Sequence, residues 1–471
     1  MHRKHVAFVL LAAVAMLFAV PAAATNGMDL EGYGPISQAM GGASMAFDQG
    51  SAGLMSNPAT LGLLPDGATR VDVALGLLGP SVTSRFPAFN LSADSDATAF
   101  WMPAIGALRH RGAMTFGLGV FGQGGMGTEY DQAAFLAGPT GEPVMSQVSV
   151  GRVMAPFTYA LESGLILGVT LDYVWGGMDL QMPFAVGDAM APAPGSLMDF
   201  MGSHVLGEAA VSAGFGAAIQ GMMTGGQLTA NDYARVEFAD DSDFTGAASG
   251  SGFAGKLGVL YPVNEAWTLG AAYHFKTSMG DWEADTAEMA FYAGDGSGLL
   301  GDAIPGKIAV KDFQWPATLG LGAAFRPAER WLLAADYKLI QWSGVMENFE
   351  MVFTATGGGL DGETVGITFY QDWSDQAVIN LGAAYLAQDW LTLRAGTVIA
   401  SNPIPQTYLN PLFPAIEETH LTAGAGLALA PNQEFNVSIA VAPEVTQTSS
   451  KSGVEVAHSQ FNLQAMYSVN F

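Results

Sequence analysis

Residues 461–471 read FNLQAMYSVNF. Phe461, Leu463, Ala465, Tyr467, Val469 and Phe471 fall on one side of an extended chain, and Asn462, Gln464, Ser468 and Asn470 on the other. Successive side chains of a strand point to opposite faces, so the stretch predicts a strand with one apolar and one polar face. Met466 is the only departure from the alternation. Residues 165–175 repeat the pattern: Leu165, Leu167, Val169, Leu171, Tyr173 and Trp175 oppose Gly168, Thr170 and Asp172. Residues 267–275 and 435–441 repeat it again.

Working outward from these, similar segments lie at 71–79, 101–109, 113–122, 153–161, 165–175, 253–261 and 267–276 in the first part of the chain. The second part adds 315–325, 331–340, 377–387, 391–399, 420–430, 434–442 and 458–471. These are about fourteen, an even number as single-chain bacterial barrels have. Short connections at 110–112, 162–164, 262–266, 326–330, 388–390 and 431–433 alternate with long ones. A membrane barrel has short periplasmic turns and longer external loops, and counting from a periplasmic N-terminus puts every long connection outside. The expected fold is therefore all-β: a transmembrane antiparallel barrel of about fourteen strands. A soluble sandwich also alternates, but it does not place Trp175, Tyr261, Trp267 and Trp331 at strand ends on the apolar face, where membrane barrels carry aromatic girdles.

Composition agrees. Charged residues make up 13% and hydrophobic ones 50% of the 471-residue chain, against about a quarter charged in ordinary globular proteins. Much of the surface then faces something other than water. No run of about 18 apolar residues follows position 24, which argues against membrane helices. The net charge is −26, a poor match for nucleic acid, whose phosphates need cations. There is no cysteine, which removes disulfides, thiol catalysis and zinc–thiolate sites.

Arg3 and Lys4, the apolar residues 6–20 and Ala22-Ala23-Ala24 have the order of a secretory signal cleaved near Ala24/Thr25. The run is short for a membrane anchor. Residues 25–70 follow, too many for a tail and without strand alternation. Ile36, Met40, Met45, Phe47, Leu54, Met55 and Leu61 give them apolar surface that favours burial, and a barrel this wide has a lumen that wall side chains do not fill. The expected organisation is a signal peptide at 1–24, an N-terminal plug or hatch at 25–70, and the barrel at 71–471, with its longest loop at 176–252.

Several motifs now come together. Asn26-Gly27 follows the signal, residues 34–46 read GPISQAMGGASMA, and Asp48 and Asn57-Pro58-Ala59 precede Leu61. Trp101-Met102-Pro103 opens a strand. Asn402-Pro403-Ile404-Pro405 and Leu412-Phe413-Pro414-Ala415-Ile416 precede His420 and Gly424, and the chain ends on Phe471. In these residues the sequence resembles the outer-membrane long-chain fatty acid and aromatic hydrocarbon transporters, the FadL/TodX-like OMPP1 family. The resemblance runs from residue 26 to the last strand and omits the long loops. It implies a monomeric fourteen-stranded barrel closed by a hatch carrying Gly41, Gly42, Ala43, Asn57, Pro58 and Ala59. It also implies capture of hydrophobic ligands outside and sideways release into the membrane. The expected partners are hydrophobic small molecules, outer-membrane lipids and lipopolysaccharide, and the barrel-assembly machinery through Phe471.

Within the longest loop, Leu197, Met198, Met201, Val205 and Leu206 approach helical spacing inside an amphipathic stretch at 197–223. They form either a hydrophobic capture site, for which adaptable methionine suits varied ligands, or simply the packing of the loop. Strand parity turns Asp172, Lys256, His274, Asp336, Lys338 and Arg394 inward. Lys256, Lys338 or Arg394 can pair with a ligand carboxylate, or with Asp172 and Asp336 to support the hatch.

Other chemistries find no support. Residues 122–127 read GQGGMG and match G-x-G-x-x-G, but no βαβ unit surrounds them, so the glycines read as turns or a bend in an external loop. Gly112, Gly117, Gly119 and Gly122 make the third strand a candidate for a weak wall. Residues 42–46 lack the strand–turn–helix context of a nucleophile elbow. His110, His204, His274, His420 and His458 are scattered, and Asp240-Asp241-Ser242-Asp243 lacks calcium-loop spacing. No cofactor, metal or catalytic residue is expected. Passive transport of small hydrophobes, which lipopolysaccharide otherwise blocks, is the expected function. A general porin, a lipid-modifying enzyme and an adhesin are the rivals.

Overall fold

The computed structural model describes residues 26–186, 195–198, 205–240, 242 and 245–471. Nearly all its regular structure belongs to one sheet of 23 strands. The wall consists of β1 (Thr69–Phe86), β2 (Phe100–Arg111), β3 (Met114–Tyr130), β4 (Val144–Ala160), β5 (Ile166–Ala185), β6 (Ala248–Pro262) and β7 (Trp267–His274). It continues through β8 (Thr318–Phe325), β9 (Trp331–Ile340), β10 (Gln376–Gln388), β11 (Leu391–Ala400), β12 (Thr419–Ala430), β13 (Gln433–Thr448) and β14 (Glu455–Asn470). Each strand pairs antiparallel with the next. β14 pairs back onto β1 from Arg70↔Asn470 to Arg85↔Glu455 and closes the barrel.

Every expected segment falls on a wall strand, but the sheet holds more strands than the expected set. Tyr233–Phe238 pairs with β5, and Trp282–Tyr292, Ile304–Lys311, Asn348–Ala355 and Thr364–Tyr370 follow it edge to edge above the wall. The wall strands also run further toward the long loops, with β1 reaching Phe86 and β5 reaching Ala185. The loop expected at 176–252 therefore shrinks to 186–247. The hydrogen-bond ladder continues beyond the point where a lipid-facing side chain is required, so alternation ends before the strand does.

Outward residues such as Val73, Leu118, Leu171 and Ile379 are exposed, an apolar belt of the kind that lipid covers. Near the short turns Trp267 stacks on Phe325 at 4.4 Å and Trp331 lies 4.7 Å from Tyr385, centroid to centroid. No helix among the described residues is long and apolar enough to cross a membrane. Inward residues are polar and buried, among them Asp72, Thr158, Asp172, Asn380, Asn436 and Asn462. Met466 is the inward exception, and it packs with Ile36, Met40 and Ala43 of the N-terminal segment.

Residues 26–64 make contacts with wall strands around the barrel. Helix α1 (Gly34–Ala39) contacts β11 to β14, and the 3-10 turn Pro58–Leu63 contacts β3 to β6. Asp336 on β9 accepts the N–H groups of Ser44 and Met45 at 2.6 and 3.0 Å. Asn380 on β10 donates to Gly41 O at 2.6 Å, and Thr422 on β12 accepts from Gly41 N at 3.0 Å. Asn57 donates to Met45 O and to Val259 O of β6 while its Oδ1 caps Ala59 N. The wall presents glycines where this segment comes nearest. A Cβ at Gly382 would sit 2.3 Å from Met40 O, one at Gly168 2.4 Å from Ala59 N, and one at Gly270 1.8 Å from Met45 O.

The stretch read as near-helical at 197–206 is corrected. Gly195–Met198 and Val205–Val211 are paired strands, and the helix of this loop, α2, begins only at Ala213 and ends at Thr224. Its first turn is capped from another loop: Glu363 Oε2 accepts from Ser212 Oγ at 2.5 Å and from Gly214 N at 3.0 Å. The hydrogen bond from Ser212 is the main reason that the Glu363 carboxyl is held below its ordinary range.

Two outcomes are expected. Gly382→Val should cost about 1–3 kcal/mol through overpacking and make residues 26–64 sensitive to protease while the barrel still assembles. A resistant segment would contradict the packing described. A carboxyl depressed in the folded state contributes fully above its unfolded value and loses that contribution as pH falls through the lower one. Protection of α2 against limited proteolysis should therefore hold from neutral pH to about 4 and decline below. Glu363→Gln should weaken protection at neutral pH and flatten this dependence.

Candidate functional site: a cavity beside a fork in the wall

β2 and β3 pair only from Ala104↔Phe121 to Arg111↔Met114. Above that point the strands separate. Phe100, Trp101 and Met102 pair with β1 alone, and β3 turns away through a register shift at Gly122/Gly124 to pair with β4 alone. Pro103 stands at the fork with no N–H to offer a neighbour. Asp96 N donates to Glu129 O at 2.8 Å, and Glu129 N to Ser95 Oγ at 3.0 Å, which closes the gap at its upper end. The glycines at 122–127 thus lie inside a strand and form its bend, where an external loop was expected. From within, the N-terminal segment covers the bent strand: Gly125 N donates to Met28 O at 3.1 Å, and Asp29 bridges to Gly124.

Behind the fork lies a cavity of about 440 Å³. Phe100, Trp101, Met102, Phe121, Met126 and Trp175 supply most of its apolar wall, and Gly27 to Glu31 its floor. Pro414 and Ala415 line it from the loop before β12, which turns inward so that Leu412, Phe413 and Ile416 are buried. Four groups hold this loop. Thr128 and Tyr130 donate to Pro411 O at 3.3 and 3.1 Å, Ser146 to Leu412 O at 2.5 Å, and His458 Nδ1 lies 2.8 Å from Pro414 O. His458 Nε2 lies 3.0 Å from Glu417 Oε1.

The cavity's titratable lining is Asp29, Glu31 and His458, with no Lys or Arg. Tyr33 Oη lies 2.6 Å from both Asp29 Oδ1 and Gln123 O. Burial raises the Asp29 carboxyl above its ordinary range, and the hydrogen bond from Tyr33 opposes that shift. Glu31 accepts from Gln38 at 2.5 Å and from Asn462 at 3.0 Å.

The inward cations lie elsewhere and are occupied. Lys256 Nζ is 2.6 Å from Asp172 Oδ2, which Arg152 also meets at 2.9 Å, and Arg152 donates in turn to Gln123 Oε1. Lys338 donates to Gly42 O at 3.2 Å, and Arg394 to Asn436 at 2.9 Å. His110 meets Thr115, and His274 meets Ser56 O. The side chains of Met198, Val205 and Leu206, and all of Met201 and His204, lie outside the described residues. Sequence reasoning missed the cavity walls and Asp29. The one available signal was Trp101-Met102-Pro103 set opposite a glycine run.

A family model described as outer membrane protein transport protein (OMPP1/FadL/TodX) matches residues 12–470. The structure is similar to that of the P. putida toluene transporter TodX, with TM-score 0.80 and 29% identity over 94% of this chain and 99% of that one. It is also similar to the Ralstonia pickettii toluene transporter TbuX, with TM-score 0.72 and 25% identity over 94% and 99%. The 47 kDa outer membrane protein of Pasteurella multocida is 26% identical over 210 residues, 43% of this chain and 46% of that protein. An uncharacterized Chlorobium limicola protein, encoded in the 5′ region of a phosphoenolpyruvate carboxykinase gene, is 44% identical over 73 residues, 16% of this chain and 36% of its own. The chain thus spans less than half the length of either curated relative.

Removing Asp172 should leave Arg152 and Lys256, both 2% exposed, without their counter-charge. Asp172→Ala is expected to destabilise the barrel by about 3–5 kcal/mol, read as a lower urea midpoint in the loss of heat-modifiable mobility. An unchanged midpoint would mean that the network is solvated.

Proposed function

The chain belongs to the OMPP1/FadL/TodX family of outer-membrane transport proteins, and from that premise we propose how hydrophobic compounds pass through it. The protein is a β-barrel of the bacterial outer membrane and a channel for hydrophobic compounds, in a family of transporters rather than enzymes. Ligands, long-chain fatty acids or hydrocarbons, are captured at the external loops, where Met198, Met201, Val205 and Leu206 contribute apolar surface. They enter the cavity under the inturned loop and leave sideways between β2 and β3 into the bilayer. Transport is passive, driven by transfer of apolar surface from water into lipid.

Residues 25–70, after removal of a signal at 1–24, act as the hatch of a fourteen-stranded wall that completes the domain at 71–471. Gly41, Gly42, Ala43, Asn57, Pro58 and Ala59 seat the hatch on the wall. Lys256, Lys338 and Arg394 hold the inner face in place for it, and a ligand carboxylate meets them only where the hatch has moved. The barrel works as a monomer, inserted by the assembly machinery through Phe471 among outer-membrane lipids and lipopolysaccharide. The observation that carries this reading is an apolar cavity opening onto a fork in the wall. An open porin lumen would be polar and continuous instead.

Cells lacking their own hydrophobe transporter should take up labelled oleate or toluene faster when they make this protein, and a small sugar no faster. Because the chain has no cysteine, Met102→Cys places a single thiol at the fork. A bulky maleimide there should reduce hydrophobe entry at least about tenfold, the scale of one lost route worth 1.4 kcal/mol or more. Sugar entry alone would favour a porin, and undiminished hydrophobe entry after labelling would rule out the lateral path.

A further inference from the structure

The hydrogen-bonding capacity of the cavity is lopsided. Its donors are neutral or engaged: the indole N–H groups of Trp101 and Trp175, Gln460 Nε2 on Asn462 and His458 Nδ1 on Pro414 O. Thr245 Oγ1 donates to Asp240. Gln147 and Ser149 add neutral groups that both donate and accept. Asp29 differs from all of these. Its Oδ1 takes Tyr33 and Gln123 at 2.6 and 3.4 Å, while its Oδ2 accepts from no group among the described residues. Asp29 is only half-buried, and the surface it exposes lines the cavity. Glu31 adds a second carboxylate, with both oxygens hydrogen-bonded. Lys338, the cation that acts on both acids, donates to Gly42 O and does not line the cavity.

A carboxylate ligand entering this space would meet two carboxylates and no lining Lys or Arg, a like-charge approach in a low-dielectric site. A pure hydrocarbon would fill the apolar walls but leave Asp29 Oδ2 desolvated and without a partner. A neutral ring or chain carrying one O–H satisfies both conditions, because an ionised acceptor forms the stronger class of hydrogen bond. Resting on the reading of this cavity as the channel's ligand chamber, we propose that it selects neutral hydrophobes bearing a single hydrogen-bond donor, phenols or aliphatic alcohols, with the hydroxyl on Asp29 Oδ2. Trp101, Phe121 and Trp175 enclose the apolar part. Hydrophobes of the same size carrying an ionised carboxylate are rejected, whereas a fatty acid enters with its carboxyl protonated, as a neutral O–H donor.

The test is competition for labelled toluene uptake by cells making the full-length protein, with p-cresol, acetophenone, unlabelled toluene and p-toluate as competitors of similar size. p-Cresol should halve toluene entry at about one-tenth the concentration that toluene itself needs, the effect of one hydrogen bond to a charged acceptor, and p-toluate should not compete. Asp29→Asn keeps an oxygen for Tyr33 and presents an amide N–H in place of the free oxygen. It should reverse the order of the two polar competitors, so that acetophenone competes better than p-cresol. This gain is not one that a misfolded N-terminal segment would produce. Toluene entry with no advantage for p-cresol, effective competition by p-toluate, or an order unchanged in Asp29→Asn would overturn the selectivity and leave the channel intact. No protein-dependent toluene entry at all would overturn the channel reading and the selectivity with it.

Discussion

The structure depends on one packing constraint: a segment of irregular backbone has to lie against the inside of a closed sheet at nearly atomic contact. Backbone approaches backbone only where no side chain intervenes, and the inner wall meets this with glycines at Gly168, Gly258, Gly270, Gly382 and Gly396. Between these clefts, inward polar groups take up the hydrogen bonds that irregular backbone leaves open. Asp336 takes two N–H groups, Asn380 gives one to a carbonyl, and Asn57 ties the segment to itself and to β6. Part of the chain's abundance of glycine, 60 residues, is thus a matter of clearance. Gly41 and Gly42 add a conformational reason, with φ of 65° and 74° at the point of nearest approach.

The same constraint sorts the polar residues into two groups. Along the inner face of the wall, charges are paired and buried, as in Arg152, Asp172 and Lys256. At Gly27 to Glu31, where the segment borders the cavity, Asp29 keeps an oxygen without a hydrogen bond among the described residues.

This division explains what was legible in the sequence. A wall strand carries lipid on one face, and lipid enforces alternation, so residues 461–471 and 165–175 announce themselves and the long strands can be found one by one. Met466 looked like an error in the pattern and is instead the wall's apolar contact with Ile36 and Met40. The strands Asn348–Ala355 and Thr364–Tyr370 alternate as well, with Phe349, Met351, Phe353, Val365 and Ile367 buried. They are short and sit between wall strands, so a barrel reading assigns them to loops. Lys256 and Lys338 were correctly turned inward by parity, yet parity carries no information about partners, and their partners come from strands and segments distant in sequence. The cavity was least legible, because Asp29, Trp101, Met126 and Pro414 meet only through the closure of the barrel.

The fork and the segment beneath it are mutually dependent. A strand edge facing hydrocarbon carries unpaired N–H and C=O groups, each costing several kcal/mol without a partner, so a wall cannot part without some cover for the exposed edge. Here the cover is Met28 O on Gly125 N and the bridge of Asp29 to Gly124. Glycine is required on the strand side for the same reason as deeper in the barrel: a Cβ at Gly124 would lie 2.1 Å from Met28 O. The residues that satisfy the opened edge are also the floor of the cavity, and Asp29 belongs to both. Asp29 thus gives its backbone to the covered edge and its side chain to the cavity floor.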